Sequence, residues 1–180
     1  MLENTWFEKF TNALAEDTAA LPAWDPEKLA DWTSVATKAA DAATAAVLEC
    51  MAVGVGQTAA KEAQDKYGRS EYFTLDGIGY DDASWAPPLV AVELENTSEK
   101  IEYCAWKLLC VRASVRVLVC FKKTLGAYPG STAEAVARVA KVLKDHRGQR
   151  LFLVVGDADA RVTSKDVPEW RSVFETRLLP

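Results

Sequence analysis

The sequence is poor in soft metal ligands, with one histidine, four cysteines and no CxxC pair, so it lacks the ligand spacing of the usual zinc sites. Cys50, Cys104, Cys110 and Cys120 all lie in apolar stretches, where free cysteine commonly behaves as a small buried residue. We therefore expect four reduced thiols in the core. Glycine is also scarce, with 9 residues, as is proline, with 7, and no internal repeat is visible, which excludes collagen-like, disordered and solenoid chains.

Long hydrophobic runs are missing as well. No apolar stretch approaches the ~18–20 residues of a membrane span, and the first residues, MLENTWFEKF, are charged within three positions. We predict neither a membrane span nor a signal peptide, and hence a soluble cytoplasmic protein without a membrane partner. Since 49% of the 180 residues are apolar, the chain can build a core of one-domain size. It has no glycine-rich phosphate loop, nucleophile elbow or Cys/His pair.

The net charge of −5 is unevenly distributed. Residues 71–110 carry eight acids and two bases, whereas residues 111–150 carry two acids and nine bases. This asymmetry indicates complementary faces, an acidic site beside a basic surface that attracts phosphates, or ordinary solvated helix faces. The basic residues that could contact a phosphate backbone are Lys122, Lys123, Arg138, Lys141, Lys144 and Arg147.

The first third of the chain has helical periodicity. Apolar residues at helical spacing predict a helix over 2–20, and a second helix begins near Asp25-Pro26 and ends near Gly54 or Gly56. A third helical stretch covers 57–68 and stops at Gly68. Residues 1–68 are therefore predicted to be helical throughout.

From Glu71 onward, short extended runs alternate with helices. We predict strands over 72–76 and 78–80, interrupted by glycines, and further strands over 89–95, 115–121 and 151–155. Helices are predicted over 98–113, capped by Thr97 or Ser98, and over 131–146. This order predicts one α/β domain over 1–180, with a mixed central sheet flanked by helices and the helical part, 1–68, packing on the core, 71–180.

The chemistry-bearing residues lie around the strand at 89–95. Because strand side chains alternate, Glu93 and Glu95 share one face of an otherwise apolar strand. Two neighbouring buried carboxylates repel each other and need a positive partner. A divalent cation such as Mg²⁺ or Mn²⁺ prefers oxygen ligands and meets this need, and Asp76 adds a third carboxylate if the two strands pair.

This arrangement resembles the PD-(D/E)XK restriction-endonuclease-like superfamily, over roughly Glu71 to Phe121. The shared pattern is an acidic residue, a short loop, an apolar strand ending in Glu-x-(Lys or Glu), a helix and another apolar strand. By that resemblance Asp76 and Glu93 are the acidic residues of the two half-motifs. Glu95 stands where the superfamily usually has lysine, and Leu75 stands where it has proline. Some members take their lysine from the following helix, and Lys107 matches that arrangement.

The resemblance implies a metal-dependent nuclease that acts on DNA or RNA. Asp76, Glu93 and Glu95 would then be metal ligands, and Lys107 would assist electrostatically. Each residue also has a structural interpretation: Glu93 and Glu95 as a solvated strand face, Asp76 as a turn residue, and Lys107 as a surface lysine. The second hypothesis is a catalytically inactive module of the same fold that binds a protein partner, nucleic acid or a second copy of itself. It draws on the missing motif lysine and on Trp6, Trp24 and Trp32 as exposed aromatics.

The remaining polar features have simpler interpretations. His146 follows a predicted helix end and suits the helix dipole. The Asp157-Ala-Asp159 sequence lacks the ligand spacing of a calcium loop. Glu99 and Glu102 are expected to be solvated helix charges or neighbours of the site, and Tyr72 and Trp106 are expected in the core.

Overall fold

The computed structural model describes residues 1–17, 29–51, 75–79, 87–95, 97–123, 128–160 and 167–180. Its first elements are helices α1 (Leu2–Asp17) and α2 (Leu29–Cys50), which pack against each other. Trp6, Phe10 and Leu14 recur at four-residue spacing on α1 and are completely buried. The helical N-terminal third is thus confirmed for the described residues, while the helix predicted at 57–68 lies outside them.

One mixed sheet follows. Its strands are β1 (Gly77–Gly79), β2 (Val90–Leu94), β3 (Val115–Lys122), β4 (Leu151–Asp157) and β5 (Phe174–Leu179), and they lie in chain order across the sheet. Strands β2, β3 and β4 are mutually parallel, whereas β1 and β5 run antiparallel to their neighbours at the two edges. The parallel strands β2 to β4 are near-continuous apolar runs because both faces of this central part are covered.

Helices provide the crossovers that parallel strands require. A 3₁₀ turn (Ser98–Lys100) leads into α3 (Ile101–Cys110), which connects β2 to β3, and α4 (Thr132–Leu143) connects β3 to β4. Both helices are shorter than the predicted 98–113 and 131–146. The expected cap at Thr97 makes no side-chain cap bond, whereas Ser131 Oγ accepts a hydrogen bond from Glu134 N at the start of α4.

The two faces of the sheet bury separate apolar clusters. Val90, Val92 and Val117 pack against α1 and α2, and Ala91 and Leu118 pack with α3 and α4 on the opposite face. This alternation confirms a mixed α/β architecture with helices on both faces of the sheet.

The C-terminal part was not predicted. Helix α5 (Val167–Ser172) precedes β5, whose sequence FETRLL mixes charged and apolar residues because it is an edge strand with half-exposed side chains.

Three predictions about burial are wrong. Cys50 and Cys110 are exposed because each lies off the buried face of its helix, although Cys104 and Cys120 are buried as expected. Trp6 is buried rather than exposed, since α1 and α2 enclose it and Thr44 Oγ1 accepts a hydrogen bond from its indole nitrogen. Trp106 is half-exposed instead of lying in the core.

Several predicted features lie outside the described residues or side chains, namely Trp24, Trp32, Tyr72 and most of the strand at 72–76. Among the helices that the structure does describe, none combines the length and the apolar character needed to cross a bilayer.

Candidate active site

A cavity of about 440 Å³ lies at the carboxyl end of β2, where the chain turns toward α3. In α/β sheets with parallel strands, this end of a strand is where ligands commonly bind. The cavity is lined by Asp76, Glu93, Leu94, Glu95, Glu99, Lys100, Tyr103, Cys104 and Lys107. The structure therefore brings all four predicted site residues to one opening: Asp76 just before β1, Glu93 on β2, Glu95 just after it, and Lys107 on α3.

Glu93 is the most unusual of these side chains. It points to the same side of the sheet as its parallel neighbour Leu118 and is only 1% exposed. Lys107 Nζ lies 2.8 Å from Glu93 Oε1, but this buried oxygen accepts no well-aligned hydrogen bond from the described residues. Burial raises the pKa of Glu93 to about 7, aided by the charge of Asp76 and opposed by Lys107. Glu93 is therefore held in an environment that disfavours its charge.

Asp76 precedes β1 and reaches across to the neighbouring strand. Its Oδ2 accepts a hydrogen bond of 2.7 Å from the backbone N–H of Leu94. This bond fixes the Asp76 carboxylate beside Glu93. Because the two carboxylates are close, the negative charge of Asp76 raises the pKa of Glu93. Asp76 itself lies in a bend, so this backbone contact agrees with the turn interpretation as well as with a role in the site.

Glu95 is held by the segment that follows it. Its Oε1 accepts a 2.6 Å hydrogen bond from Thr97 N, and Cys104 Sγ lies 3.8 Å from its Oε2. Glu95 is half-buried at the cavity wall, so it is not the fully solvated strand face of the structural interpretation. Its hydrogen bond shapes the turn that leads from β2 into the 3₁₀ segment.

Lys107 projects from the last turn of α3 toward the sheet. Its side chain is 13% exposed, and burial alone would lower its pKa, but the contact with Glu93 and the nearby negative charges raise the pKa overall. The ammonium also lies 5.3 Å from the ring centroid of Tyr103. The sequence indicates that Lys107 can turn toward the sheet, because the positions three and four residues before it hold Cys104 and Tyr103 and offer no acid on its own helix to pair with it.

Cys104 lies between the two glutamates but is not suited to nucleophilic or thiolate chemistry. Burial raises the pKa of its thiol well above the usual range, and the charge of Glu93 raises it further. The thiol therefore stays protonated and acts as a weak donor toward the carboxylates.

The described residues contain no group of three or more His, Cys, Asp or Glu side chains arranged to hold a metal ion. A hard cation such as Mg²⁺ needs only one or two protein carboxylates, with water and substrate oxygens completing its shell. Asp76 and Glu93 fit that smaller requirement, since both offer carboxylate oxygens at the cavity and Glu93 Oε1 already lies 2.8 Å from a cation, the Lys107 ammonium.

Comparison with known proteins adds nothing to this geometry. No protein family, curated protein or solved structure matches the chain.

The candidate phosphate-contacting bases are partly engaged with acids. Lys122 pairs with Glu175, while Arg138 and Lys141 both contact Glu102. Lys144 and Arg147 are exposed after α4. The basic block of the sequence is thus partly neutralised.

Sequence reasoning missed two features of the site. Tyr103 lines the cavity, and Trp106 stacks on it one helical turn away. From the sequence, Trp106 was expected in the core and Tyr103 was given no role. The spacing of residues on the helix could have revealed both. Ile101, Ala105 and Leu108 define the buried face. Tyr103 and Trp106 lie off that face.

Proposed function

We propose that the protein is a divalent-metal-dependent, nuclease-like hydrolase of nucleic-acid phosphodiester bonds, with a restriction-endonuclease-like fold. The observation that carries the proposal is the buried Glu93–Lys107 pair, which opens with Asp76 into one cavity at the carboxyl end of a parallel strand. A charge that is buried at a cost and adjoins an open cavity is typical of a functional site.

The connectivity supports the same conclusion. Asp76 precedes an edge strand, Glu93 lies on the adjacent antiparallel strand, and Lys107 lies on the helix that crosses over to the next, parallel strand. This is the order of acid, acid and lysine that the resemblance to the PD-(D/E)XK superfamily implies, with the lysine on the helix.

Each side chain then has a distinct task. Asp76 and Glu93 would hold Mg²⁺ or Mn²⁺, which when bound supplies Lewis-acid stabilisation and a more acidic water. Lys107 offers a cation to the charge that develops on the phosphate oxygens. Glu95, fixed by Thr97 N, can orient the attacking water by accepting its hydrogen bond.

A cleavage assay tests the proposal. Single-stranded and duplex DNA and RNA are incubated with Mg²⁺ or Mn²⁺ and either the parent, Asp76→Asn, Glu93→Gln or Lys107→Met. We expect cleavage by the parent and a loss of at least about 100-fold in each variant, the order found when one charge-stabilising group is removed. Glu49→Gln, at an exposed position on α2, is the matched control and should retain parental activity. Equal cleavage by the parent and Glu93→Gln would reject the proposal.

The second candidate is an inactive binding module of the same fold. It is favoured by one observation, that Lys107 already neutralises Glu93. Calorimetric titration with Mn²⁺ separates the two candidates, because an active site should give saturable heat that Glu93→Gln removes. An inactive module should give none.

A further inference from the structure

Two aromatic rings are exposed on α3: Tyr103, which lines the cavity, and Trp106, which stacks on Tyr103. Tyr103 is 54% exposed and Trp106 is 48% exposed. Their ring centroids lie 5.9 Å apart with an interplanar angle of 26°, so the rings form a stack on the surface. A single exposed aromatic residue is ordinary, but a preformed pair beside a polar cavity needs an explanation.

Positive charge borders the same rings. Lys107 Nζ lies 5.3 Å from the Tyr103 centroid and contacts Glu93, and Lys100 lines the cavity one turn before Tyr103. The same cavity also holds four carboxylates, those of Asp76, Glu93, Glu95 and Glu99. The cation of the proposed function would offset their charge. With that cation bound, the surface offers flat apolar rings next to ammonium groups. That combination is complementary to a nucleotide, which carries a π-face and an adjoining phosphate.

We propose that Tyr103 and Trp106 form a stacking platform for an unpaired base of a single-stranded nucleic acid whose phosphodiester occupies the cavity. The inference rests on the proposed function and specifies its substrate class. In a duplex the faces of each base are covered by the neighbouring bases, so only a single strand, an end or an extruded base can extend the stack. The platform is sequence-tolerant because every base has a π-face.

The test is a binding measurement that does not depend on hydrolysis. Fluorescence anisotropy with a labelled single-stranded oligonucleotide, in Ca²⁺ as an oxygen-binding substitute for Mg²⁺, compares the parent with Trp106→Leu and Tyr103→Leu, and with the ring-retaining variants Trp106→Phe and Tyr103→Phe. We expect each leucine variant to raise Kd about tenfold, within the range for one stacked base, and each phenylalanine variant to stay within about threefold of the parent. Thermal denaturation checks that the variants are folded.

A second arm replaces the bases by abasic positions. The abasic strand keeps its phosphates, so it should bind the parent more weakly than the normal strand does, and the double variant Tyr103→Leu/Trp106→Leu should not discriminate between the two strands. Equal binding of both strands by the parent would overturn the platform.

The outcomes separate the two proposals. If the parent cleaves nucleic acid and the leucine variants cleave and bind single strands equally well, the platform is wrong and the hydrolytic function stands. If neither the parent nor any variant cleaves nucleic acid but single-strand binding still depends on the rings, the platform holds and the hydrolytic function is wrong. If the parent binds no nucleic acid, the platform is overturned, and a protein partner becomes the occupant to test.

Discussion

Replacing Glu93 by glutamine should stabilise the folded protein at alkaline pH in the absence of metal. Burial raises the Glu93 pKa from 4.5 to about 7 in spite of the contact with Lys107. An acid with a raised folded-state pKa binds its proton more tightly in the folded than in the unfolded chain. Its contribution to stability is therefore complete below pH 4.5 and is lost as the pH rises to about 7.

The magnitude follows from the same values. At about 1.4 kcal/mol per pH unit, ionised Glu93 costs the folded state about 3 kcal/mol above pH 7. Glutamine has the shape of the protonated acid and carries no charge. The variant should thus match the parent at pH 4.5 and exceed its free energy of unfolding by about 1 to 3 kcal/mol at pH 8.

Urea denaturation at pH 4.5 and pH 8, in EDTA and at constant ionic strength, measures the difference. Glu49→Gln, at an exposed position, should show no such dependence on pH. Lys107→Met should be destabilised at pH 8, because it leaves a buried carboxylate without its counter-charge. A Glu93→Gln protein that is less stable than the parent at pH 8 would refute the reasoning, since the ion pair would then be a net structural contribution.

Two further substitutions probe the elements that position the site. Gly79→Ala should lower the free energy of unfolding by about 1 to 3 kcal/mol in urea denaturation, because the new Cβ would lie 2.6 Å from Thr44 Cγ2 and force α2 away from β1. Arg116→Met should cost about 1 to 3 kcal/mol in the same assay, since Arg116 Nε donates to the carbonyls of Leu108 and Val111 at the end of α3. An unchanged unfolding midpoint in either protein would contradict these contacts.

The spacing of apolar residues along the chain was sufficient to predict the central part of the sheet. The near-continuous apolar runs at 115–121 and 151–155 indicated strands covered on both faces, and the structure places them in the middle of the sheet as β3 and β4. Alternation along 89–95 correctly separated the Val90 and Val92 face from the Ala91 face. These local patterns predict the fold because the packing of the sheet against the helices requires apolar side chains at those positions.

Features that depend on distant contacts were not predictable. β5 pairs with β4 on one side only, and most of its side chains are half-buried or exposed. Its sequence therefore mixes polar and apolar residues and lacks the pattern of buried residues that predicts a strand. The sequence predicted that Trp6 is exposed and can contact a partner. In the structure α2 covers it, and Thr44 Oγ1 accepts a hydrogen bond from its indole nitrogen. Whether an aromatic residue is covered depends on what packs over it, and the sequence of its own helix does not contain that information.

The candidate site shows the same division. Glu93 and Glu95 share a face by strand periodicity, yet their surroundings differ: Glu93 meets a lysine from α3, and Glu95 meets the backbone of Thr97. Spacing alone could not distinguish a buried carboxylate from one at the cavity wall.

Helix α3 links the two proposals made for this protein. One side of the helix seals the sheet, its last turn delivers Lys107 to Glu93, and its outer side presents Tyr103 and Trp106. A cation that binds Glu93 must compete with the ammonium of Lys107, because both neutralise the same buried carboxylate. On the proposed function, a cation bound at Glu93 would take over the role of the ammonium, and Lys107 would then be available to a phosphate anion at the cavity mouth, next to the rings proposed to hold the base. The ion pair seen in the structure would be the metal-free arrangement of these groups.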